Sequence, residues 1–384
     1  MTGFVGGGDV AYGRTCAFAV TPDGPVPTPH LLFARNVRFA TVDATPRART
    51  GGAAITTAGG AALLLGGAVR TVERYDPASA TLTALGELDP RSGAVATPLG
   101  LGAGEQIAIV GGDGDGLIEL LDPAARIDRL DEPRLARTAL TATTLTDGRV
   151  IAIGGRDRGG VATGDLIELT PAAGTVEVRA AIARLAHPRA EHTATRLGDD
   201  VGAAVLIAGG RDATGPIAVA ELWKPLSGEL ADPATFAPAM VVPRHGHVAR
   251  LLPDGSVLVI GGLDGAGAPV RVLERFSIDA GFRAAGELPA TSGVVELTAT
   301  PLPDGRILIA GGRAAPGGPA VDTAVIARLD VIGGAVDVVA TDRLAMPRAD
   351  HQATLLCDGT VLVTGGTAAP TPLERYNPPA LGRR

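Results

Sequence analysis

The sequence predicts an all-β fold of seven similar four-stranded antiparallel sheets arranged around one axis. Three observations predict it. An apolar run ending in paired glycines recurs as ALLLGG, IAIVGG, VIAIGG, VLIAGG, VLVIGG, ILIAGG and VLVTGG, with doublets beginning at Gly66, Gly111, Gly154, Gly209, Gly261, Gly311 and Gly365, spaced 43 to 55 residues apart. Asp-Gly pairs precede four of the doublets at a fixed interval: Asp147-Gly148, Asp254-Gly255, Asp304-Gly305 and Asp358-Gly359. No stretch sustains a 3.6-residue apolar period, apart from a short turn within DPATFAPAM.

Each unit opens with an apolar first strand. The Asp-Gly pair between two apolar runs is a hairpin signal, because both residues tolerate the positive φ of a tight turn. The second strand ends in the doublet, where the backbone must leave the sheet beside a neighbouring unit and a side chain would clash. A polar loop follows, then a third strand of the form Glu-x-apolar-x-Pro: ERYDP at 73, ELLDP at 119, ELWKP at 221 and ERYNP at 374. ERFSI at 274 lacks the proline, and ELTP at 168 is one residue short. A weaker fourth strand closes the unit, and Pro-Arg pairs at 46, 90, 133, 188, 243 and 347 precede the next apolar run.

The combined doublet, Glu-x-Tyr and Pro-Arg register resembles kelch repeats over roughly residues 49 to 378. That resemblance implies a seven-bladed kelch-type β-propeller with four antiparallel strands per blade. The family's usual tryptophan beyond the tyrosine is missing, and the sole Trp223 occupies the tyrosine position. Aromatics make up only 3% of the chain, so aliphatic packing between blades is expected to substitute. The last unit stops after LERYNP without a fourth strand, and either HLLFARN or VRFATVD near the N-terminus could complete it. The ring is thus expected to be closed by an N-terminal strand completing the C-terminal blade, which removes an exposed edge. A rival reading makes FVGGGDVAYGRTCAFAVTPDG an eighth degenerate repeat. The preferred organisation is one propeller domain over 37–384, with 1–36 packing near the closure or partly loose.

Composition narrows the function classes. A net charge of -7 with 20% charged residues argues against nucleic acid, and no apolar run approaches a membrane span. Lys224 is the only lysine, which fits a GC-rich coding bias. The opening MTGFVGGGDV shows no export signal, so the chain reads as cytoplasmic, or as exported if a signal has been trimmed. Cys16 and Cys357 are the only cysteines. They could form a disulfide clamping the closure, but two separate buried thiols are the favoured reading.

In the resembled family the links between blades and the loops after the doublets share one face around the central channel. Here the links carry Arg49, Arg91, Arg137, Arg189, Arg244 and Arg348, and the loops add Arg156, Asp157, Arg211, Asp212, Arg313, Asp113 and Asp264. Arginine forks on one mouth suit a carboxylate or an acidic peptide; the competing reading has the link arginines bonding neighbouring backbone. His192, His247 and His351 share one register position, filled by Leu140 and Leu297 elsewhere, and are read as packed histidines. His245 and His247 are spaced for one metal ion but lack a third ligand, and GGDGDG at 111 to 116 lacks the later ligands of a calcium loop. Copper radical oxidases built on the kelch propeller need tyrosine and histidine ligands and a cysteine-crosslinked tyrosine. Tyr75 and Tyr376 occupy the structural position of the repeat, and neither they nor Tyr12 neighbours a histidine. The leading expectation is therefore a monomeric, non-enzymatic module without cofactor or metal, binding a protein, peptide or small anionic ligand at the mouth. The alternative is a carbohydrate-active enzyme, sugar-acid epimerase-like or copper radical oxidase-like.

Overall fold

A computed structural model describes residues 2–5, 8–14, 16, 32–35, 37–67, 69–173, 175–366 and 369–379. Seven four-stranded antiparallel sheets form a closed ring, a seven-bladed β-propeller. Blades I to VII are named by their innermost strands: Gly52–Thr56, Ala94–Leu99, Thr141–Thr144, Thr193–Arg196, Val248–Leu251, Thr298–Pro301 and His351–Leu355. Each innermost strand contacts the next, and that of blade VII contacts that of blade I. Helix among the described residues is confined to two single 3-10 turns, Gly102–Gly104 and Pro133–Leu135.

The core is divided rather than central. Seven apolar clusters each lie between two consecutive blades. Between blades II and III, for example, Val110, Ile118 and Leu120 meet Leu140, Val150 and Leu169. Aliphatic side chains make up most of these clusters, as expected from the missing tryptophans, and four of the seven also hold an aromatic third-strand residue. Trp223, Tyr75, Phe276 and Tyr376 are fully buried at matching places on the third strands.

Closure is made by Arg38–Thr41, which pairs antiparallel with Glu374–Asn377 and brings the Phe39 and Tyr376 rings to 4.9 Å. VRFATVD therefore fills the empty edge. Leu32–Arg35, from the other candidate stretch, joins Thr2–Val5 and Gly8–Arg14 in a separate three-stranded sheet, not an eighth four-stranded blade. Much of the rival repeat, residues 17–24, lies outside the described residues. The favoured reading of the cysteines is corrected: Cys16 and Cys357 are joined in a disulfide with Cα atoms 5.0 Å apart, tying the segment after Gly8–Arg14 to the last blade.

The hairpin turns also differ in detail from the expectation. In the four Asp-Gly turns only the glycine has positive φ, between 78 and 83°. In blade V, Gly255 N–H bonds to Leu252 C=O and Leu252 N–H to Ser256 C=O, so the turn is a three-residue loop with a glycine bulge.

All fourteen doublet glycines have positive φ, from 59 to 96°. The two members of a doublet face different neighbours. A Cβ on Gly209 would lie 2.6 Å from Arg244 O in the next blade, and one on Gly210 would lie 2.7 Å from Ala190 O in its own. The pattern recurs at Gly311 and Gly312 against Arg348 O and Val295 O. Paired glycines thus let two blades close over one strand end. Gly209→Ala carries both the left-handed penalty of about 1–2 kcal/mol and a clash costing about 1–3 kcal/mol. Gly317→Ala, at φ 67° with nothing within 4 Å, carries only the first. Urea unfolding is expected to show the Gly209 variant losing at least twice as much stability as the Gly317 variant.

Candidate functional site: the channel mouth

Links between blades and loops after the doublets meet on one face. Short antiparallel bridges join Thr138 to Arg156, Ala190 to Arg211, His245 to Leu263 and Val295 to Arg313. Just before each innermost strand one residue is left-handed: Gly51, Gly93, Ala139, Glu191, Gly246, Glu296 and Asp350, with φ between 53 and 70°. Backbone bonds pass from one to the next, with Gly51 N–H donating to Asp350 C=O, Asp350 to Glu296, Gly246 to Glu191 and Glu191 to Ala139. Three blades place an acid where glycine is the unstrained choice, and left-handed backbone at non-glycine residues concentrates at functional sites.

The six link arginines lie beneath this ring. Arg49, Arg91, Arg137, Arg189, Arg244 and Arg348 are all buried. Five donate to the carbonyl of the first doublet glycine of their own blade: Arg49 to Gly66, Arg137 to Gly154, Arg189 to Gly209, Arg244 to Gly261 and Arg348 to Gly365. Arg91 instead donates to Ile109 and Leu117 carbonyls. Each is also paired with a carboxylate: Glu73, Glu119, Asp165, Glu221, Glu274 and Glu374 in blade order. Five of those carboxylates, the glutamates, accept backbone N–H groups of the incoming link; Glu274, for instance, takes those of Val241 and Val242 at 2.7 and 2.9 Å. Burial pulls the pKa of Arg49, Arg91, Arg137, Arg189 and Arg244 down, and the paired carboxylate opposes it.

Blades III and VI show why the pairs occur as units. In blade III the shortened ELTP shifts Glu168 by one residue, pairing it with Ile151 where the other glutamates pair one position further along. A one-residue slip reverses the face, and Glu168 binds Arg149 and Arg179 instead, leaving Arg137 to Asp165. Blade VI has Val294 in place of the arginine and Val325 in place of the glutamate, both buried.

Three arginines remain at the surface of the mouth. Arg211 bonds Glu191 through Nε at 2.9 Å and Nη2 at 2.8 Å, Arg156 approaches the same carboxylate at 3.5 Å, and His245 Nδ1 lies 2.6 Å from its other oxygen. Burial alone would raise Glu191, but hydrogen bonds from Arg211 and His245 outweigh it and hold the carboxyl below its usual range. Arg313 Nε donates to Glu296 at 2.7 Å and Nη1 to Gly318 C=O. Asp350 has no ion pair among the described residues; burial and then repulsion from Glu296 push its pKa up. Asp157 and Asp212 spend their carboxylates on their own loops, on the N–H groups of Gly159 and Val161 and of Thr214 and Gly215. Asp264 does likewise for Ala266 and Ala268. Glu191, Glu296, Asp350 and His245 thus belong to a mouth that residue type alone did not reveal.

The three aligned histidines are interior residues. His192, His247 and His351 present Nε2 to Thr141, Thr193 and Thr298 of the preceding blade at 2.9 to 3.1 Å, while Nδ1 has no partner. His247 and His245 take different partners, with left-handed Gly246 between them. In GGDGDG, Asp113 accepts from Ser92 N–H and Asp115 pairs with Arg158.

No family model matches the chain, and no curated protein is similar to it. Among solved structures, a fungal alcohol oxidase of the AA5 family in complex with copper is similar in fold, with a TM-score of 0.61 and 15% identity over 89% of this chain and 76% of that one. The described residues do not fit copper. They contain no cluster of three His, Cys, Asp or Glu side chains able to hold a metal, and the two cysteines are bonded to each other. Tyr75 and Tyr376 are buried between blades, their hydroxyls 3.4 Å from Arg375 Nη1 and 2.8 Å from Thr341 Oγ1. No helix is long and apolar enough to cross a membrane among those residues.

Proposed function

We propose that this chain is a kelch-type propeller serving as a non-enzymatic binding module, taking an acidic peptide or other anionic group at the channel mouth through Arg156, Arg211 and Arg313. Supporting it is the contrast between two sets of arginines. The six link arginines are enclosed and complete the blades, with Asp157 and Asp212 shaping the loops above them. The three loop arginines keep donor edges open: Arg211 leaves Nη1 free of its bond to Glu191, and Arg313 leaves Nη2 free of its bond to Glu296. Guanidinium forks of this kind favour carboxylate and phosphate partners. Arg211→Gln with Arg313→Gln, which removes both charges without setting a carboxylate against Glu191 or Glu296, is expected to weaken capture on an acidic-peptide array at least tenfold, with urea unfolding checking that the double variant is folded. Undiminished capture by the double variant overturns the reading.

A second reading, a carbohydrate-active enzyme, is favoured by one observation. Asp350 combines a raised pKa, a left-handed backbone and a neighbouring Glu296, the environment of a proton-transferring carboxyl. Turnover of a sugar-acid panel that disappears in Asp350→Asn would select it.

A further inference from the structure

Below the mouth, the innermost strands present one side chain per blade three residues beyond the histidine position. That tier holds Ile55, Thr97, Thr143, Thr195, Arg250, Thr300 and Thr354, each opposite the residue three before its doublet. Five of the six other positions are threonine. Thr143 shows what the position does structurally: its hydroxyl donates to Ala194 C=O, two residues beyond the histidine position of the next blade. Arg250 Nε makes the same bond to Ala299 C=O at 2.6 Å, and Nη1 donates to Ala249 C=O at 2.8 Å. The backbone role of the threonine is thereby met, and a planar charged end extends beyond it.

That end is unlike every other deeply placed arginine of the blades. The six link arginines and Arg375 each have a carboxylate partner. Among the described residues Arg250 has none. Protein surrounds it closely, yet its surface still meets water, as expected for a side chain inside a channel. Burial is the sole cause that lowers its pKa, to about 10, so it remains a cation at neutral pH with no nearby charge to offset it. Enclosed charges are ordinarily paired. One N–H of Nη1 and both of Nη2 are uncommitted, and together they form the fork that takes an oxyanion end-on through two parallel bonds.

We propose that the channel contains a small-oxyanion site on Arg250, carboxylate or phosphate in chemistry, held by its Nη1–Nη2 edge within a tier of threonines. The site is independent of the reading of the mouth, whose arginines lie on loops rather than on an innermost strand.

The test compares the wild-type protein with Arg250→Thr, which restores the residue of five other blades, and with Arg250→Lys, which keeps the charge but loses the fork. Inorganic phosphate and acetate are titrated separately at pH 7 against chloride of matched ionic strength, following the thermal midpoint and binding heat. The general salting effect of phosphate on folding is common to all three proteins and cancels. The wild type is expected to bind phosphate or acetate at least tenfold more tightly than Arg250→Thr, with Arg250→Lys between them. A response to acetate alone assigns a carboxylate and a response to phosphate alone assigns a phosphate. Wild type and Arg250→Thr within twofold of each other for both probes overturns the proposal; should Arg250→Thr fail to fold, the same comparison with Arg250→Lys decides.

Discussion

Mild acid is expected to weaken the protein steeply, because three imidazoles are locked in the neutral state. Burial, then the charge of the link arginine three residues before each, depresses His192, His247 and His351 from 6.5 to about 3, with a further contribution from a neighbouring histidine at the first two. The folded protein therefore refuses protons that the unfolded chain accepts. Their contribution is intact above pH 6.5 and lost progressively as pH falls through the window from 6.5 to about 3. Each histidine contributes about 1.4 kcal/mol per pH unit inside that window, so the three together give a slope of about 4 kcal/mol per unit. Between pH 6.5 and 5 most carboxylates remain ionised, so the early loss belongs chiefly to the histidines. Replacing all three with leucine, the residue of blades III and VI at Leu140 and Leu297, is expected to flatten the dependence. Urea midpoints at pH 7 and pH 5 measure it, and an unchanged slope in the triple leucine variant refutes the assignment.

Removing one half of a buried link pair is expected to be as damaging. Arg244 and Glu274 are both fully enclosed, with Nη2 and Oε1 2.5 Å apart. Arg244→Val leaves a carboxylate in the interior with no cation, a change that costs about 3–5 kcal/mol. The second substitution, Glu274→Val, is expected to recover most of that loss, because blade VI already uses Val294 and Val325 at the same two places. A double-mutant cycle by chemical denaturation gives the coupling. If the double variant is no more stable than Arg244→Val, the pair is not the unit described.

Much of the fold was legible in residue order. Doublets, Asp-Gly turns and the Glu-x-aromatic stretch each mark a backbone conformation or a face, and these are local properties. The candidate site was less legible, for a reason the link arginines illustrate. Arg189 and Arg211 are the same residue type in neighbouring polar stretches, yet one is enclosed and the other half-exposed. Which way a side chain turns depends on partners far away in sequence, and Glu221 lies 32 residues beyond Arg189. A signal was present: the one unit without a link arginine also has valine where the paired glutamate stands. Glu191, Glu296 and Asp350 carried another, since they fill the register where Gly51, Gly93 and Gly246 stand in other units. The disulfide could not be read, because nothing local in either cysteine distinguishes a bonded from a free thiol.

Pairing Arg38–Thr41 with Glu374–Asn377 has a temporal consequence for a chain made from its N-terminus. The closing strand is made before every other strand of the ring but must wait until the third strand of the last blade has been made before its partner exists. Six blades can assemble in order as an open arc with an apolar flank at each end, and the latch can form only after them.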